Sequence, residues 1–435
     1  MTILRSTLIA CAVGVAAAGV GLGAGFVVPA GAAVPAVHPV LFAAAPAGAS
    51  KPDDITVLNG VLYTAYQNNA GKDGTPAGSV SQVVALNSHG AVTAAWSIAG
   101  RVDGLTADPG RGVVYATINE DLNSRLAVIT PGNATPKAYT YSPSPAQTGT
   151  EKPRATNGGT DAVSVGSDGT LYVAHSNPEP ALRAPNNAAA VFKMTLAGTT
   201  ATLTGLFGVN DTAPMVNPAA GGPARAPLHL TDPDSNRIIA SASGDTLIQV
   251  AQGDSRIVFA SHLNSATPTL KQLTLHNAGN ATGAAVTPQL DDIAQVTGPG
   301  TLYAVDQKAG TIVSIDTAAI TAGSYIVSQP APSTGDFANT ADLGVLDIQT
   351  GIVTHLHSGL TSPKGLLFIP AATPHPTPSS SAPGGGVPTA VPAGSGGQAA
   401  STSATTVRLQ LATGIAGIVV IAAAAAGLTR RRTQH

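Results

Sequence analysis

Four aspartates that each precede or begin a short apolar segment are the residues of this sequence best placed to do chemistry: Asp54, Asp103, Asp161 and Asp292. If these segments are strands arranged around an axis, the carboxylates converge at one end of it. Converging carboxylates bind hard cations such as Ca²⁺ through their oxygen atoms. The alternative is that each aspartate caps its own turn by accepting hydrogen bonds from nearby backbone. We therefore expect either no cofactor or a divalent cation held by these four residues.

Two histidines, His175 and His262, follow apolar segments of the same kind and are the other candidate site residues. A histidine can serve as a general base because its pKa lies near neutral pH. Neither has a second histidine or a carboxylate at metal-ligand spacing, so a turn or rim position explains them as well. The sequence contains no G-x-S-x-G or H-E-x-x-H motif and no phosphate-binding glycine loop. Catalytic residues are therefore not assigned from the sequence.

The segments that would position these residues recur through the middle of the chain. An aspartate opens an apolar strand, a turn with Gly or Asn follows, and a second strand carries a central aromatic residue. Such paired strands are predicted at 53–65, 103–116, 161–174 and 292–305, with less regular units at 230–260 and 344–368. Third and fourth strands follow most pairs, and four antiparallel strands repeated every roughly 45 to 65 residues are typical of propeller blades. We predict an all-β fold, a β-propeller with six blades, or alternatively five or seven.

Two segments carry a resemblance to known families. The unit Asp103-Gly104-Leu105…Val114-Tyr115-Ala116 and the run from Ser362 to Phe368 resemble blades of the NHL, YVTN and gluconolactonase-like (regucalcin-like) β-propellers. The resemblance covers about 320 residues and rests on the pattern of the blades, which proteins of unrelated function share. It implies the propeller fold. Members of these families include binding scaffolds, lactonases with a metal in the central channel, and streptogramin-type lyases.

The two ends of the chain predict export and anchoring. Residues 1–32 read as a signal peptide, with Arg5, an apolar stretch and the small-residue motif Ala30-Gly31-Ala32. Residues 33–50 are predicted as a disordered linker and 51–371 as the β-propeller. Residues 372–407 form a Pro/Ser/Thr/Gly-rich stalk that cannot bury enough apolar surface to fold. Residues 408–429 are predicted as a transmembrane helix, and 430–435 as a basic cytoplasmic tail.

Composition limits the partners of the exported domain. The net charge is −2 and charged residues make up 10% of the chain, which argues against a nucleic-acid partner. The one cysteine lies inside the predicted signal peptide, so the mature protein would hold no disulfide. Contact with the membrane is expected through the C-terminal helix. A sortase-like motif, Leu411-Ala412-Thr413-Gly414, is one residue short, which favours a retained helix.

These observations favour a propeller held on the cell surface that acts as a non-enzymatic binding module for an extracellular protein or glycan. The alternative is a metal-dependent hydrolase or lyase, lactonase-like, with a divalent cation in the propeller channel. The sequence does not identify a ligand, a substrate or an oligomeric state.

Overall fold

The computed structural model of the chain describes residues 37–145, 159–176, 178, 188–278, 288–330 and 341–371. These residues form an all-β structure without an α-helix, and a 3₁₀ turn covers Gln252–Asp254. None of them belongs to a helix long and apolar enough to cross a membrane. The predicted signal peptide, stalk, transmembrane helix and cytoplasmic tail lie outside the described residues.

The strands, in chain order, are β1 (Val40–Ala44), β2 (Pro52–Leu58), β3 (Val61–Tyr66), β4 (Val80–Leu86), β5 (Val92–Ala99), β6 (Val102–Asp108), β7 (Val113–Ile118), β8 (Arg125–Ile129), β9 (Lys137–Ser142), β10 (Gly159–Val165), β11 (Leu171–Ser176), β12 (Ala189–Ala197), β13 (Thr200–Gly208), β14 (Thr212–Pro214), β15 (Arg225–Pro227), β16 (Pro233–Ile239), β17 (Thr246–Ala251), β18 (Arg256–Ser261), β19 (Thr269–Thr274), β20 (His276–Asn277), β21 (Ile293–Val296), β22 (Gly300–Asp306), β23 (Thr311–Asp316), β24 (Ser324–Gln329), β25 (Asp342–Leu346), β26 (Ile352–His355) and β27 (Pro363–Pro370).

The predicted hairpins form where the turn residues suit the backbone conformation of a tight turn. Asn59 and Gly60 join β2 to β3 with φ angles of 51° and 79°. Two consecutive positive φ angles match the right-handed twist of the flanking strands, and the Asn-Gly pair adopts them at low cost. The strand pairs β2–β3, β6–β7 and β10–β11 are antiparallel, which confirms the predictions for 53–65, 103–116 and 161–174.

The sheets have a propeller-like arrangement. Their strand orders are β2-β3-β4-β5, β16-β17-β18-β19, β21-β24-β25-β26-β20 and β27-β22-β23-β1, beside an eight-stranded sheet of order β6-β7-β8-β9-β13-β12-β11-β10. In the eight-stranded sheet two antiparallel halves join through a parallel contact between β9 and β13. Strands β2, β6, β10, β16, β21 and β27 contact one another in that cyclic order. They are the innermost strands, and they surround a central channel.

Adjacent sheets pack face to face through apolar side chains. Between the sheet of β2–β5 and the β6–β9 half-sheet, Tyr63 and Trp96 lie in one cluster with Val102 and Ile118. The rings of Tyr63 and Trp96 stack at 5.9 Å, and the Trp96 indole N–H donates a 2.7 Å hydrogen bond to the carbonyl of Asn133. Burying each large apolar side chain stabilises the fold by about 1.5–3 kcal/mol. The core therefore lies between the sheets, and the axis is left to polar groups.

The last sheet is built from both ends of the described chain. Strand β1 pairs antiparallel with β23 as the outer strand, and β27 pairs with β22 as the inner strand. Disorder was expected for residues 33–50, but this is wrong for Val40–Ala44, because the exposed edge of β23 supplies hydrogen-bond partners that the local sequence does not reveal. The segment Leu366 to Ile369, which could have been inner or outer, is part of the inner strand.

The predicted pairing within 292–305 is wrong. Strand β21 pairs with β24, whereas β22 pairs with β23 and β27, so the two segments belong to neighbouring sheets. At Gly300 an added Cβ atom would lie 2.4 Å from the carbonyl oxygen of Ile369. The backbone at this glycine packs directly on β27, so the partner of β22 comes from a distant part of the chain. The segment Gly298-Pro299-Gly300 therefore crosses between sheets instead of turning a hairpin.

Candidate functional site

The innermost strands share a local irregularity that creates the site. The pairing register shifts between Pro52 and Ile55 in β2, and two residues there have no strand partner. The same two-residue shift occurs in β6, β10, β16 and β27. A β-bulge leaves its extra residues unpaired and redirects their side chains. Ahead of β21, Asp291 and Asp292 occupy the corresponding positions before the first regular pair, Ile293 with Val327.

In each of these positions, the first of the two residues without a strand partner is charged. We call these residues the bulge ring, and among the described residues they are Asp53, Asp103, Asp161, Asp234, Asp291 and Lys364. All of them line one cavity of about 70 Å³ in the channel, enough for an ion and a few water molecules. Further charged side chains reach the same cavity, namely Asp54, Lys72, Arg101, Glu120, Asp232 and Asp292. Carboxyl groups thus outnumber cationic groups by nine to three in the lining.

Three of these carboxyl groups form a compact cluster. One oxygen each of Asp103, Glu120 and Asp161 lies within 4.8 Å of the others, and all three residues are buried. Arg101 contacts Glu120 at 3.2 Å and Asp103 at 3.4 Å, and Lys72 contacts Glu120 at 2.8 Å. Asp161 is only 6% exposed, and its Oδ2 has no hydrogen-bond partner among the described residues. The Asp161 carboxyl hydrogen-bonds Asp103 when it is protonated, and a coordinated cation would take the place of that proton.

The electrostatics of the cluster follow from burial and mutual repulsion. Burial, and next the charges of Asp103 and Asp234, hold the pKa of Asp161 well above its usual range. Burial and the charge of Asp103 raise the pKa of Glu120 to about 7, although Arg101 and Lys72 oppose the shift. Burial also acts to raise the pKa of Asp103, but Arg101 and hydrogen bonds from neighbouring carboxyl groups outweigh it and hold this pKa well below its usual range.

The remaining acidic members of the ring are crowded in the same way. Burial is the largest cause that raises the pKa values of Asp53, Asp234 and Asp291, and the charges of other carboxylates add to it. Without a bound cation, these carboxyl groups therefore stay protonated at pH values at which an isolated carboxyl group would be ionised. A bound cation would take the place of these protons.

Asp54 and Asp292 each follow a member of the bulge ring, and their carboxylates accept hydrogen bonds from backbone N–H groups. Asp54 accepts hydrogen bonds from the N–H groups of Ile55, at 2.7 Å, and of Leu105 on the neighbouring β6, at 2.6 Å. Burial and next the charge of Asp292 raise the pKa of Asp54 to about 8. Asp292 accepts from Ile293 within its own sheet and from groups on β16 and β27. Both carboxylates cap their own strand and also fasten it to the next.

The structure therefore divides the four aspartates that the sequence singled out. Asp103 and Asp161 meet in the compact cluster, together with Glu120, which the sequence did not single out. Asp54 and Asp292 sit one residue later in their bulges and act as backbone acceptors. The two groups still line one cavity. Beyond it a second cavity of about 150 Å³ shares Asp54 and Asp292 and continues along the innermost strands, where Arg237 pairs with Asp292 at 2.7 Å.

Three glutamines form a layer of donors behind the ring. Gln67 donates to Asp103 at 2.6 Å, and Gln307 donates to Asp53 at 2.7 Å. Gln252 reaches both Asp234 and Asp291 at 3.3 Å. Each glutamine directly follows the second strand of its sheet. That shared position is the sequence signal which could have revealed them.

The two candidate histidines lie apart from the cavity lining. His175 is buried in β11, and its Nδ1 lies 2.8 Å from the carbonyl oxygen of Ala189. Burial lowers the pKa of His175 to about 4. His262 is exposed after β18 with a φ angle of 55°, and its Nδ1 lies 3.2 Å from the hydroxyl of Thr269. The structure brings neither histidine to the acidic cluster.

No protein-family model matches the chain, and no curated protein sequence matches it. Among solved structures the chain is similar to a periplasmic gluconolactonase of Pseudomonas aeruginosa, with 13% identity and a TM-score of 0.42, over 73% of this chain and 88% of that chain. It is also similar to a protein from Lactobacillus plantarum, with 10% identity and a TM-score of 0.40, over 74% of this chain and 89% of that chain. Similarity this distant carries no argument about function. The propeller-like description rests on the strand order.

Proposed function

We propose that the chain is an exported, surface-displayed, six-bladed β-propeller that acts as a non-enzymatic binding module. In this proposal the acidic end of the channel holds a divalent cation such as Ca²⁺, which contributes to binding a ligand. The ligand class is an extracellular protein or glycan with oxygen atoms that can complete the coordination of the cation. The cyclic contacts of the innermost strands support the blade count. The apolar and basic segments of the two chain ends support display at the surface.

The observation that carries the proposal is the cluster of Asp103, Glu120 and Asp161. Its oxygen atoms are close enough to share one ion, and the three residues are buried. A donor set made only of carboxylate oxygens suits a hard cation such as Ca²⁺ and not a soft transition metal. A hard cation with open coordination positions can also bind the hydroxyl or carbonyl oxygens of a ligand.

The first experiment measures binding of Ca²⁺ to the full chain by calorimetry and the melting temperature with Ca²⁺ or with EDTA. One bound ion per chain and a higher melting temperature with Ca²⁺ are expected, because a ligand that binds only the folded state stabilises it. At 100 times the dissociation constant the gain is about 2.7 kcal/mol. Asp161→Asn should abolish the gain, whereas Asp316→Asn, at an exposed turn, should retain it. Equal melting curves for the wild type in both solutions would refute the cation site.

A metal-dependent hydrolase or lyase is the second candidate, and the pKa of Glu120 favours it. A carboxyl group with a pKa of about 7 can both accept and donate a proton at neutral pH. In this alternative Asp103 and Asp161 would hold a cation that polarises a carbonyl oxygen, and Glu120 would be left uncoordinated as a general base. A panel of lactones and esters tests this candidate. Turnover that needs the cation and is lost in Glu120→Gln would replace the non-enzymatic proposal.

A further inference from the structure

The second cavity of the channel is lined differently from the acidic cavity beside it. Its wall comes from residues in and after the bulges of β2, β6, β10 and β16, together with Asp292. Apolar side chains make up part of this wall, namely Leu105, Val163, Val165 and Ile238. Apolar walls with a few placed polar groups are typical of sites for small molecules.

Three buried polar atoms of this wall have no hydrogen-bond partner among the described residues: Ser164 Oγ, Asn236 Oδ1 and Arg237 Nε. Ser164 is 5% exposed and Asn236 is 6% exposed, so both side chains lie inside the fold. A buried polar atom without a partner is costly, and a ligand that pairs with it removes that cost. Arg237 Nε is a donor, Asn236 Oδ1 is an acceptor, and the hydroxyl of Ser164 can be either. A matching ligand therefore both donates and accepts hydrogen bonds.

The charges along the wall already compensate one another. Arg237 donates to the carboxylate of Asp292 at 2.7 Å and to the carbonyl oxygen of Leu366 at 2.9 Å. The two carboxyl oxygens of Asp54 each accept from a backbone N–H group. An anion in the cavity would approach these two carboxyl groups, and a cation would approach the guanidinium group. The wall therefore favours an uncharged ligand.

The size of the cavity limits the ligand further. Its volume is about 150 Å³, and an apolar cavity of about that volume holds benzene, a molecule of about six non-hydrogen atoms. We propose that the second cavity binds a small uncharged polyol of that size. One of its hydroxyl oxygens accepts from Arg237 Nε, a second hydroxyl donates to Asn236 Oδ1, and a third pairs with Ser164. This site needs no cation, so the inference goes beyond the proposed function and does not rest on it.

Saturation-transfer NMR on the full chain tests this inference with three probes: glycerol, lactate and propan-1-ol. Titrations in EDTA at neutral pH give the dissociation constants without any bound cation. Glycerol should bind, and lactate should bind about tenfold more weakly because its charge finds no free partner in the wall. Propan-1-ol keeps one hydroxyl and should also bind about tenfold more weakly, since two hydrogen bonds are lost.

Substitutions at Ser164 test whether glycerol occupies the second cavity. Ser164→Ala removes only the hydroxyl and should weaken glycerol binding about three- to tenfold, the usual worth of one hydrogen bond. Ser164→Val also takes up space in the cavity and should weaken it by about tenfold or more. Ser97→Val, at an exposed position of β5, is the matched control and should bind glycerol as the wild type does. If Ser164→Val does not fold, Ser164→Ala decides the question.

Glycerol that does not bind, or that binds both Ser164 variants as tightly as the wild type, would overturn the inference, because the cavity would then hold only water. Lactate that binds more tightly than glycerol would overturn the uncharged class of ligand, and equal binding of propan-1-ol would overturn the polyol. The cation site is tested separately. Failure to bind glycerol leaves the proposed Ca²⁺ site intact, and failure to bind Ca²⁺ leaves this inference intact.

Discussion

The Oδ2 atom of Asp292 accepts a 2.7 Å hydrogen bond from the backbone N–H of Leu366, which joins the start of β21 to the inner strand of the last sheet. The same carboxylate also accepts from Arg237 at 2.7 Å and from the hydroxyl of Ser235 at 2.8 Å, both on β16. A single buried side chain therefore connects three innermost strands. Its removal leaves a buried backbone N–H and the partly exposed guanidinium of Arg237 without their acceptor.

Asp292→Ala should lower the free energy of unfolding by about 1–3 kcal/mol, because the buried N–H of Leu366 loses its acceptor and the partly exposed Arg237 loses its ion pair. Chemical denaturation of the full chain measures the change. Asp316→Ala removes an exposed aspartate that caps its own turn, and it should cost less than about 1 kcal/mol. Equal losses for the two variants would contradict the role assigned to Asp292.

Gly300→Ala should destabilise the protein by about 1–3 kcal/mol, as overpacking does. The added methyl group would lie 2.4 Å from the carbonyl oxygen of Ile369 and 2.8 Å from the ring of Phe368, so β22 and β27 must separate. Gly298 lies two residues earlier and has open space around its added Cβ, which makes Gly298→Ala the matched control. Thermal melts should show a clear loss for the first variant and a change below about 1 kcal/mol for the second.

Gln67→Leu should weaken the proposed binding of Ca²⁺ by about 10- to 100-fold, the usual effect of removing a group that orients a metal ligand. Gln67 holds Asp103 through a 2.6 Å hydrogen bond, and without it the carboxylate can rotate away from Glu120 and Asp161. Calorimetry at fixed pH measures the affinity. The exposed Gln349 provides the control substitution, Gln349→Leu. An unchanged affinity in Gln67→Leu would show that Asp103 needs no such support.

His175 should make the stability depend on pH between about 6.5 and 4. Its pKa is lowered to about 4 by burial, so folding favours the neutral ring. The stabilisation is complete above the unfolded pKa of about 6.5 and is lost as the pH falls through the folded pKa, a change of about 3 kcal/mol. Denaturation of the wild type and of His175→Gln across this range measures the difference, which isolates the histidine from the carboxylates.

The control for that measurement is a substitution at the exposed Gln349, which does not titrate. The difference between wild type and Gln349→Leu should stay constant with pH. If the His175→Gln difference is equally constant, the buried histidine does not titrate as its surroundings indicate.

Sequence reasoning succeeded where structure is decided locally. The hairpin of β2 and β3 follows from Asn59-Gly60 between alternating strands, and the aspartate that opens each unit was recognised. It failed at β21 and β22 because the partner of β22, β27, begins more than fifty residues later. No local pattern states which of two distant edges a strand will join.

The same distinction explains the site. Asp53 and Asp54 both precede an apolar run, and only the bulge register shows that Asp53 belongs to the ring. Glu120 opens no inner strand, yet the chain after β7 brings it to the channel. Lys364 was recognised as part of a blade. Its position in the channel beside the aspartates arises only because β27 completes the ring between β21 and β2, and the local sequence does not show this.

Ring closure by β27 also has a mechanical consequence. The strand carries Lys364 and the Leu366 N–H, which donates to Asp292, and the last described stretch of the chain ends directly after it at Ala371. Tension applied to the chain beyond Ala371 is therefore transmitted first to an inner strand and not to an outer edge. A pull on this end would strain the channel lining before it disturbed the outer strands.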